Sequence, residues 1–228
     1  CVELLVSLYY DGHLKEGDFF YLSKGHACAA VYSILHDLGK MSKEMLDTYG
    51  QDGGLGGQLN VATSGVDWNT GSIGHALGVA AGVALASKLG GMNNKAWCMI
   101  GDAELAEGSI WEALIFAGNH NLRNLICIID KNQLSATDTV KNDVMFNNLA
   151  GTAFNLGWTS INFDGHDFVD ICTAFVSARC SLNPTLLIAH TTKGKGVSFM
   201  ENNVKWHYGV PNEQEYQQAL EELSSGFT

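Results

Sequence analysis

Positive charge, proline and long apolar runs are scarce in this chain, and each scarcity excludes something. Thirteen Lys and Arg stand against 24 Asp and Glu, a formal net charge of −11 over 228 residues. Nucleic-acid and anionic-membrane binding need clustered cations that displace counterions, so neither is expected here. With only 2 prolines there is no Pro-rich linker, and no repeat or low-complexity tract interrupts the chain. No segment approaches the roughly 18 uninterrupted apolar residues of a membrane span, and no signal-peptide pattern is expected. The six cysteines, at 1, 28, 98, 127, 172 and 180, contain no C-x-x-C pair. Reduced, buried thiols and a cytoplasmic setting are the default expectation.

What is present suits one large α/β domain over residues 1–228. Hydrophobic residues make up 46% and glycines number 26. A chain of this length can bury about 70–75% of its unfolded surface. Periodicity predicts helices at 2–10 and 27–38, a short one at 42–48, and a glycine-rich loop reaching Gly71. A long helix at 73–89 follows, with Ala76, Ala80, Ala81, Gly82 and Ala84 as a small-residue face. Residues 11–25 read as loop. Thereafter strand and helix alternate: strands at 95–100, 124–130, 158–163 and 185–190, helices at 109–119, 144–156, 167–181 and 213–224. Runs such as Leu125-Ile-Cys-Ile-Ile129 lack polar alternation, as strands covered on both faces do. The fold class expected is a doubly wound, mostly parallel sheet flanked by helices.

One strand-turn-helix-strand passage carries the chemistry. Ala96-Trp-Cys-Met-Ile-Gly-Asp102 leads into Ala103-Glu-Leu-Ala-Glu107, and the next strand ends in Ile129-Asp-Lys-Asn132. Asp102 and Asn132 thus follow the carboxyl ends of successive strands, where open parallel sheets bind ligands. A carboxylate and a carboxamide are hard oxygen ligands suited to Mg²⁺, which prefers few protein oxygens plus phosphate oxygens. An Asp in this place can also merely cap the next helix. Gly101 and Ala103 lack bulk and let the backbone approach a phosphate.

Gly101-Asp102-Ala103, 27 intervening residues, then Lys131-Asn132 resembles the thiamine diphosphate signature, with Ala103 in place of its usual second glycine. Four further segments narrow the resemblance to the transketolase family: Leu22-Ser-Lys-Gly-His-Ala27, Thr70-Gly-Ser-Ile-Gly-His75, Asp164-Gly-His-Asp167, and Thr192-Lys-Gly-Lys-Gly196 followed by Trp206-His207. The chain is most similar to the cofactor-binding N-terminal subunit of a split transketolase. The resemblance implies thiamine diphosphate and Mg²⁺ as cofactors, with Asp102, Asn132 and the backbone carbonyl of Leu134 as metal ligands. It implies His26 and His207 as the catalytic pair, and Gly71, Ser72, Ile73, His75, Gly101, Ala103 and Glu107 as further cofactor-loop positions. A Gly-His-rich loop of the family would lie ahead of helix 2–10.

Some positions keep two readings. Glu107 matches a family glutamate at the subunit interface, or is a first-turn acid favoured by the helix dipole; Glu104 is read as such an acid. His166 is expected to be a structural turn residue, and His190 either contacts the site or supports it. His13, His36 and His120 have no motif behind them. Where transketolases carry Gly-His-Pro, this chain has Gly56-Gly-Gln-Leu-Asn60; Gln58 can hydrogen-bond a sugar hydroxyl but cannot become charged.

The resemblance implies transfer of a two-carbon ketol unit from a ketose to an aldose, on sugar or sugar-phosphate substrates. The family's activating glutamate lies on a pyrimidine-binding domain, expected from a partner, the C-terminal transketolase subunit, in a heterotetramer. The pyrimidine-binding and C-terminal domains are expected to be absent from residues 1–228. Two alternatives remain: another thiamine diphosphate ketol transferase or synthase with a different sugar donor, and a non-catalytic scaffold subunit.

Overall fold

The computed structural model describes residues 1–136, 139–140 and 148–226. Five strands, β1 (Phe19–Leu22), β2 (Ala96–Gly101), β3 (Leu125–Lys131), β4 (Thr159–Asp164) and β5 (Thr185–His190), form one sheet in the order β1-β2-β3-β5-β4. Every pairing in it is parallel. Eight described helices surround it: α1 (Val2–Tyr10), α2 (Cys28–Asp37), α3 (Lys43–Leu46), α4 (Ala76–Leu89), α5 (Gly108–Asn119), α6 (Leu149–Asn155), α7 (Phe168–Cys180) and α8 (Glu213–Ser225).

Strand alternation divides the core in two. Trp97, Met99, Ile126, Ile128 and Leu187 face one side and pack with α1, α2 and α7. Cys98, Ile100, Cys127, Ile129, Leu186 and Ile188 face the other and pack with α4, α5 and α6. Both faces are therefore covered, which is why these strands carry no polar alternation. Each Leu or Ile buried here contributes about 1.5–3 kcal/mol relative to its exposed state. The small-residue face of α4 lies against this sheet through Ala76, Ala80, Ala81 and Ala84, whereas Gly82 is exposed. Between α5 and α6 the contact is so close that a Cβ on Gly118 would stand 1.7 Å from the Leu156 carbonyl oxygen.

Several expectations need correction. Residues 11–25 are not all loop: β1 runs through Phe19–Leu22 and pairs in register with Ala96–Met99. Four residues at a sheet edge are too short to show a period, and the pairing is made with residues far along the chain. The long helix starts at Ala76 instead of Ile73, because Gly74 has a φ of +85°. Asp102–Ala106 form a 3-10 turn before α5. Residues 144–147 of the expected helix 144–156 lie outside the described residues. The thiols do not share one environment: Cys28, Cys98 and Cys127 are buried, Cys1 and Cys172 half-buried, and Cys180 exposed. No helix among the described residues is long and apolar enough to cross a membrane.

Candidate functional site

The carboxyl ends of β1, β2, β3 and β5 converge on one cavity of about 220 Å³, whose lining includes Lys24, His26, Asp102, Asn132, Lys193 and His207. Register explains the convergence: Gly101 pairs with Asp130, and Lys131 with His190. The residues after these strands are thereby set side by side.

Asp102 is buried, 3% exposed. One carboxylate oxygen accepts from the Gln133 N–H at 2.6 Å and the other from its neighbour Ala103 at 2.9 Å. Asn132 is also buried; its Oδ1 accepts from the Leu134 N–H at 3.1 Å. Gln133, between Asn132 and Leu134, has a φ of +62°. That left-handed conformation costs a non-glycine residue on the order of 1–2 kcal/mol, and such strain collects at functional sites. It turns the Gln133 N–H toward Asp102 and ties the two strand ends together. Ala103 is absent from the positive-φ residues and sits comfortably in the 3-10 turn.

Burial pushes the Asp102 carboxyl up to about 6, with Asp130 adding to the effect and the Gln133 and Ala103 hydrogen bonds opposing it. The hydrogen bonds to Asp102 come only from backbone N–H groups, and Lys24 offsets its charge without pairing with it; a divalent cation would complete that compensation. Among the described residues no group of three or more His, Cys, Asp or Glu could hold a metal. A metal here would thus rely on Asp102, Asn132, a backbone carbonyl and ligand oxygens, a donor set that suits Mg²⁺.

Two lysines from the glycine-bearing motifs form the cationic side of the cavity, a role their spacing does not announce. Lys24, from Ser23-Lys-Gly-His26, is buried and ion-paired with Asp130. Burial alone would raise the Asp130 carboxyl, but the Lys24 ammonium and the Thr191 hydroxyl, 2.5 Å away, hold it below the usual carboxylate range. Lys193, from Thr192-Lys-Gly-Lys195, lies 2.6 Å from His207 Nδ1, and its ammonium is pulled down by burial and then by Lys24. With Lys193 donating, Nδ1 of His207 accepts, which leaves the ring's proton on Nε2. The His26 and His207 rings lie 5.1 Å apart. His26 stands at the mouth, partly exposed. Burial and then the neighbouring Lys24, His207 and Lys193 push its imidazole down to about 4. It is therefore neutral at pH 7. In a side-chain NMR titration of the cofactor-free protein the His26 ring should stay neutral at pH 5.5; a midpoint near 6.5 would remove this electrostatic picture.

Glu104 is the residue that sequence reasoning misassigned. It is no exposed first-turn acid but 2% exposed. It accepts hydrogen bonds from the Ser23 hydroxyl at 2.5 Å, the Gly74 N–H at 2.8 Å and the Gly101 N–H at 2.9 Å. Three loops that carry candidate site residues are thus fastened to one carboxylate. No spacing in the chain signals this, since Ser23 and Glu104 are 81 residues apart.

Other candidates divide between the lining and the surroundings. Ile73 lines the cavity, whereas Gly71, Ser72 and His75 do not, and all three are exposed. Glu107 is half-buried and packs against Gly74, where an added Cβ would come within 2.8 Å of its own. Gln58 lies beside Gly25 and accepts from the Thr70 hydroxyl at 3.2 Å. His166 bridges the Glu3 carboxylate, at 2.6 Å, and the Thr192 N–H, at 2.7 Å, a structural role as expected. His190 meets Asn162 at 3.1 Å and is not part of the lining.

A family model described as transketolase, thiamine diphosphate binding domain, matches residues 8–227. The chain is 38% identical over 234 residues to one subunit of the apulose-4-phosphate transketolase of Phocaeicola vulgatus, a match covering 98% of this chain and 83% of that protein. With the subunit of the same name from Actinobacillus succinogenes it shares 37% over 232 residues, covering 97% and 84%. The transketolase of Homo sapiens is 33% identical over 217 residues, which is 94% of this chain but 34% of that one. Among solved structures, the transketolase of Campylobacter jejuni superposes with a TM-score of 0.88 at 31% identity, covering 97% of this chain and 37% of that chain. The chain spans most of the two apulose-4-phosphate transketolase subunits and about a third of the longer transketolases.

Proposed function

This chain belongs to the transketolase family through its thiamine diphosphate binding domain, and from that premise we propose how it works and with what. Residues 1–228 act as one diphosphate-binding domain, and a partner subunit supplies the pyrimidine-binding domain in a heterotetramer. Two relatives that this chain matches over 83% and 84% of their length are named as subunits of a transketolase, which supports that reading. Asp102, Asn132 and the Leu134 carbonyl hold Mg²⁺, and Lys24, Lys193 and the Nε2–H of His207 face the diphosphate. The observation that carries this is the buried Asp102, hydrogen-bonded only by backbone N–H groups, opposite two lysines in one cavity.

When bound, thiamine diphosphate supplies the nucleophilic carbon and electron sink for moving a two-carbon ketol unit. The chain's own residues do the rest. Lys24 is ion-paired with Asp130, so Lys193, which has no carboxylate in ion-pair contact among the described residues, is the charge left to draw an anion in. His26, neutral at pH 7, acts by hydrogen bonding to substrate oxygens rather than by delivering a proton from an imidazolium. Glu104 keeps the Ser23, Gly74 and Gly101 loops in place around them. Gly71, Ser72, His75 and Glu107 belong to the rim that the partner completes.

The donor we propose is a phosphorylated ketose, and apulose 4-phosphate is the first to assay, because both near-full-length relatives are named for it. Gln58, a neutral amide held by Thr70, supports a donor unlike that of enzymes with histidine there. Six cysteines that are all free suit a reducing, cytoplasmic compartment. Native mass spectrometry of the complex from its own source tests the assembly. A heteromer retaining Mg²⁺ and thiamine diphosphate is expected. A homomer of this chain without either would leave a scaffold as the better reading.

A further inference from the structure

At the opposite end of the sheet, roughly 20 Å away along the strands, lies a second cavity of about 430 Å³. In a protein of net charge −11, four cationic side chains line it: Lys88, Lys95, Arg123 and Arg179, which include both of the chain's arginines. No acidic residue is among its lining. One carboxylate offsets part of this charge: Asp18, its side chain 3% exposed, lies 2.6 Å from Arg179. That leaves an excess of three positive charges.

Helix dipoles account for part of this cluster. Lys88 and Arg179 fall in the last turns of α4 and α7, where cations offset the carbonyl end. Lys88 donates to the carbonyls of His120 and Asn121. Lys95 and Arg123 are not explained in that way, since they precede β2 and β3. The Lys95 ammonium donates to the Arg123 carbonyl at 3.0 Å. Burial, and then Arg179 and Arg123, pull it below its ordinary range. The Arg123 guanidinium has no hydrogen-bond or ion-pair partner among the described residues and is exposed. Like charges gathered in a concavity repel one another, and a bound anion relieves that repulsion. Guanidinium groups present the forked donors that match phosphate oxygens. Asn124, 8% exposed, also lines the cavity, and its Oδ1 is buried without a partner among the described residues, while its amide donates to Ala84. That oxygen is closed to the cavity; it is the volume, well beyond what a lone phosphate fills, that suits a phosphate carried on a small polar body. The volume lies within the range of small-molecule sites.

We propose that this cavity is a second anion site, for a small phosphorylated sugar or polyol, separate from the cofactor cavity at the far end of the sheet. The test uses the assembled complex, saturated with Mg²⁺ and thiamine diphosphate, and titrates it calorimetrically with sorbitol 6-phosphate. That probe has no carbonyl and is not a ketol donor or acceptor. Binding is expected at one such site per copy of this chain. It should be about tenfold weaker in Arg123→Gln and in Lys88→Gln, and sorbitol itself should not bind. Ketol transfer at saturating substrate should be unchanged in Arg123→Gln. Absence of binding overturns the proposal, and so does binding that both variants leave intact, which would put the probe in the catalytic cavity. Weakened association with the partner in Arg123→Gln, with no probe bound by the parent complex, would also overturn it and make the cavity a seat for an acidic segment of the partner.

Discussion

Asp102→Ala, in the complex with the partner subunit, is expected to lower ketol transfer by about a thousandfold and to abolish retention of thiamine diphosphate through dialysis. The size of the effect follows from there being no second uncommitted carboxylate among the described residues around the cavity: Asp130 is committed to Lys24, and Glu104 to three donors. Removing a preorganised charge at the centre of a dry site typically costs two to three orders of magnitude in rate, and here the anchor of the cofactor goes with it.

Asp102→Asn separates cofactor binding from folding. Burial raises the Asp102 carboxyl to about 6, above its unfolded value. From about pH 4 to 6 the unfolded chain therefore gives up this proton before the folded one does, and the cofactor-free fold loses stability as pH rises through that window. At pH 7 the charged Asp102 is thus a liability without its cation. The neutral amide removes that buried charge but turns its NH2 against the Ala103 or Gln133 N–H, so the two effects oppose and the cofactor-free variant should melt within about 1–2 kcal/mol of the parent. In saturating Mg²⁺ and thiamine diphosphate it should melt clearly lower, because it forgoes most of the ligand-linked stabilisation. Thermal unfolding at pH 7 with and without both cofactors reads the difference. Equal melting shifts on cofactor addition for parent and variant would dismiss Asp102 as the metal ligand.

Glu104→Ala is expected to be the most destabilising single change at the site, by about 3–5 kcal/mol. It strands the Ser23 hydroxyl and two backbone N–H groups in a buried place, and each unpaired group costs about 1–3 kcal/mol. Glu104→Gln keeps the shape but exchanges one acceptor oxygen for a donor that faces another donor. It should fold, lose about 1–3 kcal/mol, and need about ten- to a hundredfold more thiamine diphosphate for half-saturation, with kcat at saturation within a few-fold of the parent. Melting curves and a fluorescence titration with the cofactor separate these effects. A Gln variant that is less stable but binds the cofactor as tightly as the parent would make Glu104 a fold residue with no part in the cradle.

Much of this site is legible in the residues that stand next to the strands. Asp102 and Asn132 follow apolar runs whose lack of polar alternation marks them as central strands, and the carboxyl end of such a strand is where chemistry gathers. Lys24 and Lys193 also had a signal, since both stand inside glycine-bearing motifs that carry or precede the histidines. Burial and pairing with Asp130 are what separate Lys24 from a solvated lysine, and the sequence does not state them. Gln133 gave no signal at all, because its left-handed backbone is imposed by the hydrogen bond to Asp102 across the turn.

By itself the sequence determined the α/β class, the main strands and helices, the family, and the two oxygen-bearing side chains, Asp102 and Asn132, that flank α5. These rest on local periodicity and on short motifs, which backbone geometry writes into neighbouring positions. Tertiary structure alone decided that Phe19–Leu22 is the edge strand, that Glu104 holds three loops together, and that Lys24 answers Asp130. It also gathered both arginines at the other end of the sheet. Each of those joins residues tens of positions apart, and which distant groups meet is fixed only when strand order and register are chosen.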